Sequence, residues 1–290
     1  MSDSNKLSVY IIACNEADKI VAAIRSVSWA DEIIVADSGS TDGMIEKAES
    51  LGARVVQISF KGFGELRNRA IEHCQHPWIF SLDADERCTP ELAEEILGII
   101  HSGDSSDSYR IPRSNYFMGR WIRHSGWYPN YRQPQLFRKG AMQYTLEPVH
   151  EGFELLTDRP VGYLKAALWQ VPFANLDEVI HKANRYSTLG ADRLAEHNVK
   201  PGMGSALLRG LWSFFKHYIL KRGFLDGWPG FVIAFGNFEG TFYKNAKLYC
   251  RNLKWVPVEE EALRRDVPGS GDAPRAGQTR TVNSAHSDPA

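Results

Sequence analysis

Two aspartates separated by one alanine end an apolar run in the stretch WIFSLDADER, residues 78–87. Because an unpaired carboxylate is costly to bury, Asp83 and Asp85 are unexpected directly behind a core strand. Hard divalent cations such as Mg²⁺ and Mn²⁺ prefer carboxylate oxygens and often share their coordination sphere with substrate phosphates. The pair therefore predicts a divalent-cation site that faces a diphosphate. The alternative is a capping role for the helix that Thr89 and Pro90 begin.

A second polar cluster, DSGSTDG at residues 37–43, also follows an apolar run. Asp37 is able to accept hydrogen bonds from ribose hydroxyls or a base N–H, and Ser38 offers a hydroxyl. Thr41 and Asp42 fit the cap and first turn of a helix, but capping leaves Asp37 unexplained. The loop matches neither the GxGxxG nor the GKS/T pattern, which disfavours NAD enzymes and P-loop NTPases.

Cationic side chains accompany the next predicted helix, in KGFGELRNRA at residues 61–70. Among Lys61, Arg67 and Arg69, we single out Arg67 as the residue that could face a diphosphate. Ordinary surface charge on a helix is an equally good interpretation of all three.

His150 and Glu151 stand side by side in EPVHEGF, in the strand-rich half of the chain. One of them could deprotonate an acceptor hydroxyl as general base, and the other could orient it or complete a metal sphere. Adjacent side chains of a strand point to opposite faces, so a shared task requires a bend in the chain. Taken without context, a neighbouring His–Glu pair favours a structural role.

Alternating strands and helices must position these groups. Apolar runs predict strands at 7–14, 32–37, 54–58 and 78–85, and helical spacing predicts helices at 17–28, 41–51, 64–74 and 90–100. This alternation implies βαβ units and a parallel sheet, in which ligands bind at the carboxyl ends of the strands. The residues that follow three of these strands are Asn15 and Glu16, Asp37 and Ser38, and Asp83 and Asp85. We therefore expect the three clusters at one edge of one sheet.

The remainder of the chain predicts two further parts. Residues 101–172 are dense in Tyr, Trp, Arg and Pro and contain short strand-like runs, which indicate an antiparallel extension. Helical patterns follow at 175–198, 203–222 and 229–249, and the end of the chain is rich in Gly, Pro, Ser and charge, as disordered segments are. We predict a catalytic domain over 1–173, a helical region over 174–255 and a disordered tail over 256–290.

Composition limits the choice of partners and compartment. The 290 residues carry a formal net charge of -1, which gives no nucleic-acid-binding signature. The four widely spaced cysteines suggest neither a zinc site nor a disulfide framework, so a reducing cytoplasm is expected. The N-terminal apolar run is too short for a signal peptide, and no apolar window is long enough to span a membrane.

Residues 200–254 are locally basic and rich in aromatic side chains. Lys and Arg interleaved with Trp, Phe and Tyr suit helices that lie on an anionic bilayer surface, so we expect peripheral membrane association. The alternative is a helical pair that packs on the catalytic domain with a solvated basic face.

The sequence contains five motifs in this order: ACNEADKI, VADSGSTDGM, FKGFGELRNRAI, WIFSLDADERCTPEL and PVHEGF. Together they resemble glycosyltransferase family 2, whose members are inverting enzymes with a GT-A fold. Within it the sequence is similar to bacterial lipopolysaccharide-core β-glucosyltransferases that modify the first inner-core heptose. The resemblance implies an α/β fold with a Rossmann-like, mostly parallel sheet. It also implies a UDP-glucose donor, a lipopolysaccharide core acceptor, a divalent cation and a location at the inner leaflet of the bacterial inner membrane.

Roles for individual residues follow from this resemblance. Asn15 and Glu16 would line the nucleotide pocket, and Asp37 would contact the uracil or ribose. Asp83 would lie near the ribose and metal, and Asp85 would be the main metal ligand. The catalytic base would be Glu151, with His150 beside it and close to the metal.

Three other functions share parts of this pattern. A nucleotidyltransferase would require a glycine-rich basic loop after the first strand, and CNEADKI lacks one. A glycosyltransferase that acts on another lipid-linked or cell-surface polysaccharide fits the same motifs. A non-catalytic protein that binds sugar nucleotides is disfavoured by the intact acidic pair and the His–Glu pair.

Overall fold

The structure, a computed structural model, describes residues 3–102, 106–146, 152–173, 175–197, 199, 202–251 and 253. The chain divides into one unit over Met1–Tyr249 and a second over Cys250–Ala290. The predicted tail, 256–290, lies outside the described residues.

Four parallel strands and the helices between them form the first half of the chain. The strands are β1 Leu7–Ala13, β2 Glu32–Asp37, β3 Arg54–Gln57 and β4 Trp78–Asp83, and the helices are α1 Ile20–Ser26, α2 Met44–Ser50, α3 Phe63–His73 and α4 Pro90–Ser102. All seven residues of β1 are buried because the strand lies between β2 and β4 in the sheet. The register pairs Ala13 with Asp37 and Ile12 with Asp83, so three carboxyl ends are aligned at one edge.

Helices cover both faces of this sheet, which explains the continuous apolar runs of the sequence. Because side chains alternate along a strand, Val9 and Ile11 pack in one core cluster with residues of α1 and α4. Tyr10 and Ile12 point to the opposite face and pack in a second cluster with residues of α3.

Shorter strands complete three sheets. Their bounds are β5 Glu86–Arg87, β6 Ser108–Arg110, β7 Arg113–Phe117, β8 Arg120–Trp121, β9 Leu136–Arg138, β10 Met142–Tyr144, β11 Phe153–Leu155, β12 Gly162–Tyr163 and β13 Leu168–Gln170. The main sheet has the order β12-β6-β9-β4-β1-β2-β3, in which β9 runs antiparallel to β4 and β6. A four-stranded sheet has the order β5-β13-β7-β8, and β10 pairs antiparallel with β11 in a two-stranded sheet.

Helices dominate the C-terminal part of the described chain. Their bounds are α5 Leu176–Glu196, α6 Met203–Phe215 and α7 Trp228–Arg251. A π-helical turn over Lys216–Leu220 continues α6, and a 3-10 turn over Gly223–Asp226 precedes α7. In the residues that the structure describes, no helix is both long and apolar enough to cross a bilayer.

The predicted class is confirmed: the fold is α/β, with a mainly parallel central sheet, a small antiparallel extension and a C-terminal helical region. Each helix predicted in the first hundred residues is present with slightly different ends. The division into domains at 173 and 255 remains a prediction.

Candidate active site

A cavity of about 1280 Å³ opens at the carboxyl ends of β1, β2 and β4. Four of the acids and hydroxyls expected at this edge line it: Glu16, Ser38, Asp83 and Asp85. Other lining residues come from the 127–133 loop, from β7 and β13, and from helices α5 and α7. The strand ends of the main sheet and later parts of the chain therefore line the same cavity.

Glu86 fixes the acidic turn that follows β4. Its fully buried carboxylate accepts hydrogen bonds from the backbone N–H of Asp83 at 3.1 Å and from the side-chain amide of Gln135 at 2.9 Å. It also forms an ion pair with Arg113, at 2.7 Å between Oε1 and Nε. These hydrogen bonds and the ion pair fix the position of the Glu86 carboxylate. Removal of either charged partner would leave a buried charge without compensation, which is strongly destabilising.

Arg67 lies beneath the acidic turn. Its guanidinium donates to Asp83 Oδ1 at 2.8 Å and to Ser81 Oγ at 3.0 Å, and it stacks over the Tyr144 ring. Burial alone would raise the pKa of Asp83, but the charge and hydrogen bond of Arg67 lower it below its usual value. Asp83 is thus a carboxylate already neutralised by a protein cation.

Asp85 is in a different environment, although it is only two residues away. Both of its carboxylate oxygens accept from Gln170 Nε2, at 3.1 and 3.3 Å. In the part of the chain that the structure describes, Asp85 forms no ion pair within 4 Å. Burial, with the negative charges of Asp83 and Glu86, raises the pKa of Asp85 to about 7.

These surroundings fit a divalent cation. The carboxylate of Asp85 is a hard oxygen donor that faces a cavity, and a positive ion beside it would offset the burial and repulsion that raise its pKa. No group of three His, Cys, Asp or Glu suited to a metal occurs among the described residues. A site with so few protein ligands suits Mg²⁺ or Mn²⁺, which commonly keep waters and substrate phosphates in their sphere.

Asp37 does not line the cavity; it is fully buried beneath the loop at the end of β2. Its carboxylate accepts from the backbone N–H groups of Gly39 and Ser40, both at 3.1 Å, and from the Ser40 hydroxyl. Burial would raise the pKa of Asp37, but the Ser40 hydrogen bonds lower it. In this structure the acid shapes the loop that presents Ser38.

Asn15 joins that loop to the end of β1. Its backbone has φ 55, in the left-handed region that asparagine tolerates. The side-chain Oδ1 accepts from the Thr41 backbone N–H at 2.8 Å, and the Asn15 backbone N–H donates to Ser40 Oγ at 2.8 Å. Asn15 is therefore engaged in the loop, whereas neighbouring Glu16 lines the cavity and forms an ion pair with Lys19 at 3.0 Å.

The predicted base and its neighbour, Glu151 and His150, lie outside the described residues. Arg67, Asp83 and Asp85 are brought together as expected of a shared site, and their roles in binding the sugar nucleotide and the metal remain predictions.

Several cavity residues carry no signal in the sequence. Gln170 belongs to a three-residue strand, and only its pairing with β5, Gln170 opposite Glu86, brings its amide to Asp85. Lys182 and Arg185 of α5 and Arg132 also line the cavity, although they are distant in sequence from the acidic turn. The three-residue spacing of the two α5 cations is visible in the sequence, but the packing of α5 beside the sheet is not.

Comparison with known proteins places this site in a family. Residues 8–155 match the model of the family described as Glycosyl transferase family 2. Lipopolysaccharide core biosynthesis glycosyltransferase LpsC from Rhizobium meliloti (strain 1021) is 30% identical over 269 residues, which cover 89% of this chain and 97% of LpsC. An uncharacterized glycosyltransferase from Rickettsia bellii (strain RML369-C) is also 30% identical, over 88% of this chain and 90% of that protein.

Among solved structures, glucosyl-3-phosphoglycerate synthase from Mycobacterium tuberculosis in complex with Mn²⁺, UDP and glucosyl-3-phosphoglycerate is 28% identical. That match covers 39% of this chain and 44% of the synthase with a TM-score of 0.32, which supports no conclusion about this chain. The family match spans half of the sequence, and the identity to LpsC extends over most of both proteins. The chain belongs to glycosyl transferase family 2.

Proposed function

We propose that this protein is an inverting, metal-dependent hexosyltransferase that moves glucose from UDP-glucose to the inner-core heptose of lipopolysaccharide. The observation that carries the proposal is the convergence of three strand ends on one cavity, where Glu16, Ser38, Asp83 and Asp85 meet. Membership of a glycosyltransferase family and the 30% identity to a lipopolysaccharide core glycosyltransferase support the reaction class and the acceptor.

The nucleotide would bind at the edge formed by β1 and β2. Ser38 and Glu16 face the cavity there, and Asp37 and Asn15 hold their loop through its backbone N–H groups. A loop held by such hydrogen bonds before the ligand arrives would lose less conformational entropy on binding.

A divalent cation, Mg²⁺ or Mn²⁺, would be held chiefly by Asp85, because Asp83 is already paired with Arg67. When bound, it would stabilise the negative charge on the departing diphosphate as a Lewis acid. Gln170 would hold the Asp85 carboxylate in place, as partners of metal ligands commonly do. His150 remains a candidate additional ligand.

Glu151 would remove the proton from the acceptor hydroxyl as general base. The oxygen of that hydroxyl would attack the anomeric carbon on the face opposite the UDP leaving group, forming one C–O bond as the other breaks. A single displacement of this kind inverts the anomeric centre, so the α-linked donor would give a β-linked product.

An exposed apolar surface on α6 supports membrane association. The small residues Ala206 and Gly210 are buried against the protein, whereas every large apolar residue of α6 except Phe214 is exposed, which is the reverse of a helix in water. Gly210 permits the close approach of α7, since a Cβ there would lie 2.9 Å from the Phe238 ring. The exposed large apolar residues between the start of α6 and the start of α7 are Met203, Leu207, Leu208, Leu211, Trp212, Phe215, Ile219, Leu220, Phe224, Leu225 and Trp228.

Charge favours an anionic bilayer as the partner of this segment. Arg209, Lys216 and Arg222 are exposed beside the apolar residues, while the acid Asp226 is buried. The Asp226 carboxylate accepts hydrogen bonds from the backbone N–H groups of Arg123 and His124, at 3.1 to 3.2 Å, within the protein. Its negative charge is therefore not exposed beside these cations. Peripheral binding at the cytoplasmic leaflet through the segment 200–254 would bring the cavity close to a lipid-anchored acceptor.

A donor and acceptor screen tests the proposal. Purified protein is incubated with Mn²⁺, with UDP-glucose or UDP-galactose, and with lipopolysaccharides truncated at successive inner-core sugars; products are read by mass spectrometry and the anomeric configuration by NMR. We expect one added hexose in β linkage from UDP-glucose, and no transfer by Glu151→Gln despite unchanged UDP binding. An α-linked product, or no product with any acceptor, would refute the proposal.

A further inference from the structure

Three cations line the cavity near the acidic turn, where the charge of Arg132 helps to lower the pKa of Asp83 and that of Lys182 partly offsets the raised pKa of Asp85. Lys182 and Arg185 come from α5, and Arg132 comes from the loop between β8 and β9. Positions three apart on a helix lie on the same face, so Lys182 and Arg185 reach the cavity together. None of these residues belongs to the nucleotide or metal groups described above.

The helix that carries two of them is firmly held. Asn175 caps its first turn by accepting from the Glu178 backbone N–H at 2.9 Å. Lys247 of α7 donates to the Asn184 carbonyl and to Ser187 Oγ, both at 2.9 Å. The Lys182 ammonium lies 4.9 Å from the centre of the Phe173 ring, which helps to fix its position at the cavity wall.

The charges of the cavity do not balance. Arg67 is bonded to Asp83, and Glu16 is bonded to Lys19. Within the described ranges, Arg132, Lys182 and Arg185 form no ion pair, so three positive charges face the single acid Asp85. A concave surface with excess positive charge attracts anionic ligands and concentrates them near the site.

We propose that Lys182 and Arg185, together with Arg132, form an anion subsite that binds a phosphate or carboxylate group of the acceptor. This inference rests on the proposed function, whose donor site lines the same cavity. Lys182 and Arg185 lie beyond the family match, which ends at residue 155. The segment that matches the family model, residues 8–155, carries the features that family members share. Cations outside that segment are therefore better suited to bind the acceptor, the ligand in which family members differ.

The test compares the double variant Lys182→Gln/Arg185→Gln with Arg193→Gln as the matched control. Arg193 is exposed in the last turn of α5 and does not line the cavity. Initial rates are measured with UDP-glucose and delipidated lipopolysaccharide core oligosaccharide, either native or chemically stripped of phosphate. We expect the double variant to raise the acceptor KM roughly tenfold for the native oligosaccharide, with the donor KM unchanged, because charge-assisted hydrogen bonds are lost.

Calorimetric binding of the native oligosaccharide, without donor, separates this inference from the proposed function. Weaker binding by the double variant supports the subsite even if the wild-type protein transfers no sugar, which would refute the proposed function alone. A raised donor KM with an unchanged acceptor KM would overturn the inference, since the cations would then serve the diphosphate. Acceptor binding and KM equal to those of the Arg193→Gln control would overturn it as well.

Discussion

At the scale of single residues, Asp85 and Gln170 form the contact on which the proposed cation site depends. Asp85 follows the parallel sheet and Gln170 ends a strand of the second sheet, yet the amide donates to both carboxylate oxygens. The Gln170 Oε1 is buried and has no hydrogen-bond partner among the described residues. The side chain is thus positioned by its bond to Asp85 and retains an acceptor beside the cavity.

Gln170→Leu should weaken divalent-cation binding about tenfold, because partners that orient metal-ligating carboxylates typically contribute that much to affinity. The measurement is Mn²⁺ titration in the presence of UDP, followed by electron paramagnetic resonance. Gln143→Leu is the matched control, since Gln143 is exposed on β10 and donates to the exposed Glu154 of β11 at 2.9 Å. Equal Mn²⁺ affinity in the two variants would show that the Gln170 amide has no such role.

Cysteine reactivity reports on the same cavity. Burial raises the pKa of the Cys74 and Cys88 thiols to about 12, so roughly one in ten thousand is a thiolate at pH 8. Cys14 is exposed and lines the cavity, whereas Cys250 is half-buried and does not. At pH 8 iodoacetamide should modify Cys14 and spare Cys74 and Cys88.

UDP with Mn²⁺ should slow the alkylation of Cys14 and leave the rate at Cys250 unchanged, as measured by peptide mass spectrometry. Equal rates at Cys14 with and without UDP would place the nucleotide elsewhere.

The position of the acidic turn was predictable from the sequence, but the side chains that pair with its acids were not. Asp83 and Asp85 follow a strand whose position is set by its apolar run, and strand position is a local property. Which of the two acids is neutralised depends on Arg67, and that contact spans 16 residues and two elements. Glu86 illustrates the limit further, because its charge is compensated by Arg113, a residue on a separate strand 27 positions away.

At the scale of elements, α7 is fixed by one close backbone contact. Gly230, in its first turn, is buried, and a Cβ there would lie 1.9 Å from the carbonyl oxygen of Gly223. The 3-10 turn that contains Gly223 is held in turn by Asp226, which accepts from Ser125 Oγ at 2.9 Å. The start of α7 therefore depends on a glycine that the helical pattern of the sequence does not distinguish from its neighbours.

Gly230→Ala should destabilise the protein by about 1–3 kcal/mol, as other overpacking substitutions do. Gly236→Ala on the same helix is the control, because a Cβ at Gly236 meets nothing within 4 Å. Alanine at that position should stabilise the helix by up to about 1 kcal/mol. Urea unfolding followed by circular dichroism gives both values, and equal midpoints would contradict the described packing.

Helix and strand positions in the first hundred residues were predictable, since each carries its own periodicity and begins near a turn signal. The short strands were not: β5 and β8 have two residues each and exist only through pairing with other strands. The sheet that brings Gln170 to the cavity is therefore a property of the assembled fold.

At the scale of the whole molecule, the exposed apolar residues around α6 would serve sugar transfer if the acceptor is lipid-anchored. Binding to the membrane would then bring the cavity to the acceptor. Trp228 and Leu208 are 76% and 69% exposed, which is costly in water unless another apolar phase covers them. In the proposed function, the basic residues beside them would favour an anionic surface.

The triple variant Leu208→Ser/Trp212→Ser/Trp228→Ser should lose most of its flotation with vesicles that contain anionic lipid. Each removed side chain takes away apolar area that would enter the bilayer. The control is Leu155→Ser/Leu156→Ser/Tyr163→Ser, which removes three exposed apolar side chains from another part of the fold. Equal flotation of both variants would exclude the segment as the membrane-binding element.

The central claim is that Asp85 holds the cation required for sugar transfer, and the rate of UDP release tests it most directly. Rates are compared with and without Mn²⁺ for the wild-type protein, for Asp85→Asn and for the control Asp158→Asn, an exposed loop residue outside the cavity. We predict a loss of at least about 100-fold for Asp85→Asn, the size of effect expected when charge stabilisation in the transition state is removed. The control should keep the wild-type rate and its dependence on Mn²⁺. Undiminished UDP release by Asp85→Asn would contradict the claim.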